Sequence, residues 1–275
     1  MTDNSLTREL FLAKEQKRTL LAINYYNAET LKGIVLAAGN LNNPIILQLS
    51  RSSIDYLGLD LAVRMGRTAL EQYRVRGWIH LDHGDSVDLV QQCLDAGFDS
   101  VMIDASDKPL DENIKITAEV VRRAEGYHAN VEAEIGHIPK LGQSGEKAGF
   151  TEPEDAKIFY ESTGIHALAV AIGTQHGFYK AEPKLDLERL HEINALVPIP
   201  LVLHGASGVP ADSLKKAVQR GICKINIATE VKNIFMQTLK QSLFGSDEID
   251  LRKVFPDAIQ AVTSLVENKM KTILT

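Results

Sequence analysis

The sequence predicts an α/β protein: a single (β/α)8 TIM barrel over residues 1–275, with additional helices towards its C-terminal end. Three observations support this prediction: the length of the chain, the alternation of short apolar runs with longer amphipathic segments, and the number of those runs. A chain of 275 residues is typical of one such barrel. No repeat, low-complexity segment or flexible linker divides the sequence, which favours one domain.

Eight short runs rich in Val, Ile, Leu and Ala predict the strands. Nearly continuous apolar runs suit parallel strands that are covered by helices on one side and pack a barrel interior on the other. A doubly wound open sheet is the structural alternative, but no GxGxxG motif follows an early strand. In chain order, the runs are 20–23, 44–49, 77–81, 100–103, 130–135, 167–172, 200–203 and 223–227.

Most of the segments between these runs predict helices. The amphipathic segment 86–96 stops before Gly97, a residue type that commonly ends a helix. Segments 153–163 and 210–220 each begin with proline and stop before glycine. Right-handed crossovers between parallel strands then close eight such units into a barrel. The segment 230–274 is also helical in pattern, and we expect it to cover the barrel or to form an oligomer contact.

Composition makes several classes of partner poor candidates. The net charge is −6 and no basic run occurs, so nucleic acid and anionic membranes are not expected partners. No stretch approaches the roughly 18 to 20 apolar residues that span a bilayer. Cys93 and Cys223 lack metal-binding or redox spacing and are expected to be reduced and packed. The polar segment 1–17 has no apolar signal core, and we expect a cytoplasmic protein.

Each predicted strand ends in, or is followed by, a side chain able to do chemistry. Active sites of barrels form at the carboxyl ends of the strands, because the loops there converge above the barrel mouth. One polar residue after a strand is weak evidence, because strand ends are usually solvated. A polar residue at the end of each of eight predicted strands indicates a functional site. In chain order, these residues are Asn24, Ser50, Asp82 with His83, Asp104, Glu134, His176, His204 and Asn226.

Three histidines of this set predict a metal site. His83, His176 and His204 each follow a predicted strand and precede a glycine, and His83 also follows the acidic Asp82. Three neutral imidazoles with an open fourth position make a catalytic zinc site, in which the metal acts as a Lewis acid. Any one of them alone would more often be structural, but together they favour a metal. We expect His80 to orient a neighbour from within its strand, and the role of His137 stays open.

Two turns rich in small residues predict a phosphate site. They follow the last two predicted strands and precede helices, so their backbone N–H groups and hydroxyls can face an anion. Barrels often place phosphate at this position. Either turn separately would be interpreted as a helix cap. The residues are Gly205, Ala206 and Ser207 in the first turn, and Asn226, Ile227, Ala228 and Thr229 in the second.

Taken together, these motifs resemble those of class II aldolases. The His-Gly-Ala-Ser-Gly and Asn-x-Ala-Thr sequences are similar to those of the tagatose-bisphosphate aldolase branch. The likeness covers nearly the whole chain, in order. It rests on Ala22-Ile23-Asn24, His80-Leu81-Asp82-His83, Val101-Met102-Ile103-Asp104, Val131-Glu132-Ala133-Glu134, His176-Gly177, His204-Gly205-Ala206-Ser207-Gly208 and Lys224-Ile225-Asn226-Ile227-Ala228-Thr229.

This resemblance implies a reaction. It is the zinc-dependent, reversible aldol cleavage of a ketose 1-phosphate or 1,6-bisphosphate through a zinc-stabilised enediolate, giving dihydroxyacetone phosphate and an aldehyde. Tagatose and fructose bisphosphates are the first expected substrates. The resemblance also implies a homodimer or homotetramer, and a monovalent cation, Na⁺ or K⁺, beside the phosphate.

The resemblance further implies roles for individual residues. Asp82 matches the acid that protonates the aldehyde oxygen during condensation and removes the hydroxyl proton during cleavage. The metal positions are three zinc ligands, His83, His176 and His204, and two carboxylates able to bind the metal in an alternative position, Asp104 and Glu134. The positions that hold the dihydroxyacetone phosphate end are Gly177, Gly205, Ala206, Ser207, Asn226, Ile227, Ala228 and Thr229.

One loop departs from the family pattern. The family usually carries an acidic pair after the fifth strand, which includes the base that takes the carbon-bound proton. Segment 136–147 has no such pair, so Glu146 is the candidate base, with a solvated loop glutamate as the alternative interpretation. His137 is a weaker candidate. A glycine-containing loop that closes over the substrate would suit either residue.

The far end of the substrate is also open. Positions like Asn24 and Ser50 help to hold the second phosphate in bisphosphate aldolases. Arg51 could pair with a phosphate, carboxylate or sulfonate there, or be a surface arginine. An aldolase for a non-bisphosphate ketose 1-phosphate is therefore a rival hypothesis. A non-catalytic aldolase subunit and a metal-dependent barrel hydrolase or isomerase are less favoured alternatives.

Overall fold

The computed structural model describes residues 5–138, 149–179 and 181–273. Within these ranges, eight parallel strands pair with their neighbours in chain order, and the last strand pairs with the first to close the barrel. The predicted (β/α)8 barrel is therefore confirmed. The strands are β1 Leu20–Asn24, β2 Ile45–Ser50, β3 Gly77–Gly84, β4 Ser100–Ile103, β5 Asn130–Ile135, β6 Ala167–Val170, β7 Leu201–Leu203 and β8 Ile222–Ile227.

Helices cover the outside of the barrel and close its amino-terminal end. No helix of the described ranges is long and apolar enough to cross a membrane. The helices are α1 Leu6–Glu15, α2 Ala28–Asn40, α3 Arg51–Leu57, α4 Leu59–Gln72, α5 Val87–Asp95, α6 Leu110–Glu125, α7 Pro153–Thr163, α8 Leu187–Leu196, α9 Ala211–Gln219, α10 Thr229–Leu243, α11 Leu251–Val254 and α12 Pro256–Ile273.

The third strand is longer than its apolar run predicted. The apolar run stops at Leu81, whereas β3 continues to Gly84. The extension exists because backbone pairing continues with both neighbouring strands: Asp82 lies beside Ser50 of β2, and Gly84 lies beside Ile103 of β4. The change from apolar to polar side chains after Leu81 therefore does not mark the end of the strand, which continues for three more residues.

Alternation along the strands sorts the barrel interior into layers, because residues two apart share a face. Near the carboxyl end, the inward layer contains polar side chains such as Glu134 and Asn226. One layer below lie Glu132 and Lys224, which are both fully buried. The chain thus places two polar layers inside the barrel, directly beneath its mouth.

The amino-terminal end of the barrel interior is apolar and is closed by α1. Leu6, Leu10 and Ala13 of this helix belong to one buried cluster with inward side chains of the strands, including Ile46 and Trp78. Ser5 caps the helix by accepting a hydrogen bond from the Arg8 N–H at 3.3 Å. The amino-terminal end of the barrel is therefore sealed. Both cysteines are buried and free, as expected.

The C-terminal helix α12 covers the barrel, which is one of the two roles expected for this segment. It packs against α2, where Gly33 leaves room for Val262. The hydroxyl of Thr263 also donates to the Gly33 carbonyl at 3.2 Å. Glycine is a poor helix former, so its place in the middle of α2 reflects this close approach of the two helices.

This contact predicts that Gly33→Ala destabilises the protein. An added Cβ would lie 2.8 Å from Val262 side-chain atoms, a distance that forces the helices apart. We expect overpacking to cost about 1–3 kcal/mol of unfolding free energy, more than the gain in helix propensity. Urea unfolding followed by circular dichroism measures the change.

Gly39→Ala is the matched control in the same helix. Its Cβ would lie 3.4 Å from the nearest atom, in Val75, which is an ordinary contact. This variant should be neutral or slightly more stable. Equal stability of the two variants would contradict the proposed packing constraint.

Candidate active site

The carboxyl mouth of the barrel brings most of the sequence-predicted residues into one region. One cavity is lined by Asn24, Asp82, His83, His176, Gly177, Gly205, Ser207, Asn226, Ala228 and Thr229. An adjoining cavity shares His83 and His176 and extends to Asp104, Glu134 and His137. Members of the predicted metal, acid and phosphate sets therefore line these two adjoining cavities, while His204, Ala206 and Ile227 are buried behind them.

A backbone irregularity in β3 turns Asp82 and His83 to the same site. Consecutive residues of a regular strand point to opposite faces. Here the β3–β4 register shifts between Leu81 and Gly84, and His83 adopts a left-handed φ of 50°. Non-glycine residues occupy this region only at an energetic cost, which the surrounding pairing must offset. As a result, two adjacent side chains both reach the mouth.

The three predicted histidines converge. Nε2 of His83 lies 2.9 Å from Nδ1 of His204. The ring of His176 lies 4.9 Å from that of His83 and 6.2 Å from that of His204, measured between centroids. Each histidine offers one nitrogen, and these three atoms lie within 4.8 Å of one another. This is the spacing of donors around a common metal ion.

Carboxylates hold the outer nitrogens of two of these rings. Asp104 Oδ2 lies 2.8 Å from His83 Nδ1, and Glu132 Oε1 lies 2.9 Å from His204 Nε2. A ring that donates its outer N–H to a carboxylate keeps a lone pair on the other nitrogen, which is the arrangement of metal-binding histidines. The inner nitrogens of His83 and His204 are therefore the ones available to a metal.

Glu134 adds a further donor to this cluster. Its Oε2 is buried without a hydrogen-bond partner among the described residues and lies 3.5 Å from His204 Nδ1. His83, Asp104 and Glu134 form a second group whose ligand atoms also lie within 4.8 Å of one another. Buried polar atoms are rarely left unpaired, so the orphaned oxygen is consistent with a cation at this point. The donor set thus fits a bound metal ion.

Asp82 is held as an ionised carboxylate beside the histidines. Asn24 Nδ2 donates to its Oδ2 at 2.9 Å, and Asn226 Nδ2 donates to its Oδ1 at 3.2 Å. Burial raises the pKa of Asp82, but the charges of His83 and His204 and the hydrogen bond from Asn24 outweigh it and lower the pKa to about 2. The carboxylate can therefore accept a proton near neutral pH.

The metal-free site retains protons on two other groups. Burial lowers the pKa of His83, but the Asp82 charge and the Asp104 hydrogen bond outweigh it and raise this pKa to about 9. Burial and the charge of Asp104 raise the pKa of Glu134 to about 8. His176 is neutral, since burial and the His83 charge lower its pKa to about 3. A metal ion would replace the His83 proton.

The two phosphate turns differ in their relation to helices. Thr229 is the first residue of α10, so its turn lies at a helix N-terminus, as expected. The turn after β7 does not, because α9 begins only at Ala211, with Pro210 as its N-cap. Gly205 adopts a φ of 66°, and a Cβ there would lie 2.5 Å from the Gln175 carbonyl oxygen. Glycine is therefore required where this turn passes the loop after β6.

Tyr179 ties these two loops together, a role that the sequence did not suggest. Its hydroxyl accepts a hydrogen bond from the Gln175 N–H at 2.9 Å and donates one to the Gly205 carbonyl at 2.7 Å. His176 and Gly177 lie between Gln175 and Tyr179 in the chain. One phenol thus fixes the loop that carries a metal donor relative to the loop that carries the phosphate turn.

Other candidate residues lie at the edge of the site. Ser50 Oγ lies 3.1 Å from the hydroxyls of Ser52 and Ser53 at the start of α3. Arg51 forms an exposed ion pair with Asp85, with Nε 2.7 Å from Oδ2. Glu146, the candidate base, lies outside the described residues.

Two buried residues of the site region were missed by the sequence analysis. Glu132 binds His204, and Lys224 binds Glu132 in turn, with Nζ 2.8 Å from Oε2. A signal existed in the strand period: Glu132 lies two residues before Glu134, and Lys224 two residues before Asn226. Charged residues at inward positions of apolar strands need partners of opposite charge. Each of these two residues therefore predicted that an oppositely charged side chain lies nearby in the barrel interior.

A closed barrel in which three histidines and two carboxylates could hold a metal ion at the mouth is the architecture of metal-dependent barrel enzymes. The family model for class II fructose-bisphosphate aldolase matches residues 4–275. The protein therefore belongs to the class II fructose-bisphosphate aldolase family, and it is a lyase of that class. Members of this family are generally metal-dependent and act on sugar phosphates.

Solved structures agree with this assignment. The YdjI aldolase from Escherichia coli K12 is 30% identical, with a TM-score of 0.86 over 98% of this chain and 96% of that one. A putative fructose-1,6-biphosphate aldolase from Coccidioides immitis is 29% identical, with a TM-score of 0.89 over 99% and 97%. A fructose-bisphosphate aldolase from Campylobacter jejuni, 20% identical over 99% and 95%, shares the fold with a TM-score of 0.83.

The raised pKa values predict how the metal-free protein responds to pH. Both His83 and Glu134 bind protons more tightly folded than unfolded, so stabilisation is complete below their ordinary pKa values and is lost as pH rises through the folded values. Between pH 6.5 and 9 the unfolding free energy should fall, by at most about 1.4 kcal/mol per pH unit for each group. Urea unfolding of chelator-treated protein at several pH values measures this slope.

His83→Gln provides the control for this experiment. The variant lacks the imidazole that titrates with a pKa of about 9, so its stability should depend less on pH in the upper half of the range. A wild-type protein whose stability is flat or rising between pH 7 and 9 would contradict the prediction.

Proposed function

We propose that this protein catalyses the zinc-dependent, reversible aldol cleavage of a ketose 1-phosphate or 1,6-bisphosphate to dihydroxyacetone phosphate and an aldehyde. The observation that carries this proposal is the convergence of three imidazoles beside an ionised Asp82 and next to the two phosphate turns. Each part has a counterpart in the reaction: a site for a Lewis acid, a proton acceptor and a holder for the phosphate end.

Zinc is the metal that the donors favour. His83, His176 and His204 offer three imidazole nitrogens, and this ligand set leaves a fourth position open in catalytic zinc sites. Bound there, zinc would supply a Lewis acid that stabilises the negative charge developing on the ketose carbonyl oxygen. Asp104 and Glu134 could hold the metal in an alternative position nearer β4 and β5.

Asp82 is proposed to move the hydroxyl proton. In cleavage it takes the proton from the hydroxyl next to the breaking carbon–carbon bond, and the electron pair of that bond passes to the dihydroxyacetone phosphate half. In condensation the same proton returns to the aldehyde oxygen. Asn24 and Asn226 aim the carboxylate by donating to its two oxygens. Positioned acid–base groups of this kind typically contribute about 10²–10⁴-fold in rate.

A second proton must reach the carbon that the breaking bond leaves behind. Glu146 is the proposed group, and it gives and removes this proton in the two directions of the reaction. His137 is the alternative, and it lines the cavity that also contains Asp104 and Glu134.

The phosphate end is proposed to lie against the two turns. Ser207 and Thr229 offer hydroxyls, and the first N–H groups of α10 offer the positive end of a helix. The remaining residues of this set are Gly177, Gly205, Ala206, Asn226, Ile227 and Ala228. A monovalent cation, Na⁺ or K⁺, is part of the same proposal.

Tagatose and fructose bisphosphates remain the first proposed substrates, supported by the family match over residues 4–275. A ketose 1-phosphate without a second phosphate is the second candidate. The ion pair of Arg51 with Asp85 favours this candidate. Arg51 follows Ser50 in the chain, and its guanidinium is already paired with a carboxylate instead of being free to bind a second phosphate. We also propose a cytoplasmic homodimer or homotetramer. The buried free cysteines suit the reducing compartment.

Exchange of dihydroxyacetone phosphate in D2O tests the mechanism without knowledge of the aldehyde. We expect the C3 proton signal to disappear in NMR spectra, and a chelator to stop the loss. His204→Ala should abolish exchange because the metal site loses one ligand. Glu146→Ala should slow it about 10²–10⁴-fold if this residue is the base.

Asp82→Asn is the informative control. The proton that Asp82 is proposed to transfer comes from a hydroxyl of the half that becomes the aldehyde. Exchange of dihydroxyacetone phosphate should therefore persist in this variant, while cleavage of the complete ketose is lost. Absence of exchange in folded, zinc-loaded wild-type protein would contradict the proposal and favour a non-catalytic subunit or a metal-dependent hydrolase or isomerase.

A substrate panel tests the far end of the ketose. We expect higher kcat/KM for the two bisphosphates than for ketose 1-phosphates. Ser50→Ala should raise KM for a bisphosphate roughly tenfold or more, because a hydrogen bond to a charged group is lost. The same variant should exchange dihydroxyacetone phosphate at the wild-type rate, since this compound lacks the far end. Stronger cleavage of a ketose with one phosphate would support the second candidate instead.

A further inference from the structure

A buried ion pair lies directly beneath the metal donors, and the proposed reaction does not use it. Lys224 Nζ of β8 lies 2.8 Å from Glu132 Oε2 of β5, and both side chains are at most 1% exposed. Neither residue reaches the cavities at the mouth. Their place in the lower polar layer calls for a physical explanation.

The two oxygens of Glu132 are divided between two partners. Oε1 lies 2.9 Å from Nε2 of His204, while Oε2 accepts from Lys224. The ammonium is fixed in turn, because Nε2 of His80 lies 3.1 Å from Lys224 Nζ and Nδ1 of His80 lies 2.7 Å from Ser100 Oγ. The chain of contacts therefore fixes the rotation of the carboxylate.

Stability alone does not explain this pair. Buried ion pairs add little stability compared with apolar side chains of similar volume, because both charges lose their hydration. Two residues earlier on β2 and β3, the inward positions are apolar, since Ile46 and Trp78 belong to the buried cluster at the amino-terminal end. Val202 of β7 also lies beside Lys224 in the strand register, so apolar side chains fit at this level of the barrel as well.

A second contact of His204, with Asn226, suggests a role for the Glu132–Lys224 ion pair. Nδ2 of Asn226 lies 3.1 Å from His204 Nε2, the same nitrogen that faces Glu132. An amide N–H can only donate, so this contact favours the tautomer in which Nε2 is unprotonated. The carboxylate of Glu132 can only accept when ionised, and it favours the tautomer in which Nε2 carries the proton. The two neighbours thus favour opposite tautomers.

We propose that Glu132 and Lys224 are positioning residues that hold His204 with its proton on Nε2 and its lone pair on Nδ1, the atom that faces His83. Lys224 acts through Glu132 by anchoring the carboxylate against the imidazole. This inference rests on the metal site of the proposed function. It assigns to two buried residues the task of keeping one ligand atom available.

Glu132→Gln and Lys224→Met test the proposal. In both variants we expect zinc affinity, measured by competition with a chelator, to fall about 10–100-fold. This is the usual effect of losing the group that hydrogen-bonds the outer nitrogen of a metal-binding histidine. In metal-free protein at a pH above the His83 pKa of about 9, where no proton of His83 faces His204 Nδ1, long-range ¹H–¹⁵N NMR should report the proton of His204 on Nε2 in the wild type and a shift towards Nδ1 in Glu132→Gln.

Two further variants separate positioning from folding. Lys14→Met removes another partly buried lysine, which binds Asn194 and the Ile199 carbonyl far from the site. It should lower the unfolding midpoint and leave zinc affinity unchanged. The double variant Glu132→Leu/Lys224→Met removes both charges at once, so it should recover stability while keeping the weak zinc binding.

The proposal is overturned if zinc affinity in the single variants stays within twofold of wild type and His204 keeps its proton on Nε2. Recovery of zinc affinity in the double variant would also overturn it, since that result would assign the pair to stability alone. The tautomer is measured without metal or substrate. It therefore decides the proposal even if exchange of dihydroxyacetone phosphate fails.

Discussion

Closure of the sheet between β1 and β8 is the constraint on which the site depends. Asn24 and Asn226 come from the first and last strands, and in an open sheet they would lie at opposite edges. The closed register sets Ala22 beside Asn226, so both asparagine amides reach the carboxylate of Asp82. The carboxylate stays ionised within a buried site because these donors and the histidines surround it. Chain topology thereby favours the ionised form of Asp82, the proposed acid–base group.

Inside the closed barrel, each charged side chain limits the choice of its neighbours. A buried charge without a partner costs several kcal/mol, so Glu132 between His204 and Lys224 satisfies both at once. In the upper polar layer, one oxygen of Glu134 lacks a hydrogen-bond partner among the described residues. The upper layer therefore keeps capacity for a ligand.

Irregular backbone geometry at two points also positions residues of the site. The register shift in β3 and the left-handed conformation of His83 allow Asp82 and His83 to serve one site from adjacent positions. At the other side of the mouth, Gly205 permits a close approach of two loops, which Tyr179 then holds together. Both features place functional groups where regular strands and loops would not.

The sequence by itself determined the barrel and the three histidines at its mouth, because these depend on local properties. Apolar runs mark buried strands, and polar residues at their carboxyl ends mark a common mouth. Only the tertiary structure decided which nitrogens of His83 and His204 face inward and how Glu132 meets Lys224, 92 residues further along the chain. Such contacts depend on strand register and closure, which no local pattern encodes. The physical reason is that partners across a barrel are chosen by geometry and not by spacing along the chain.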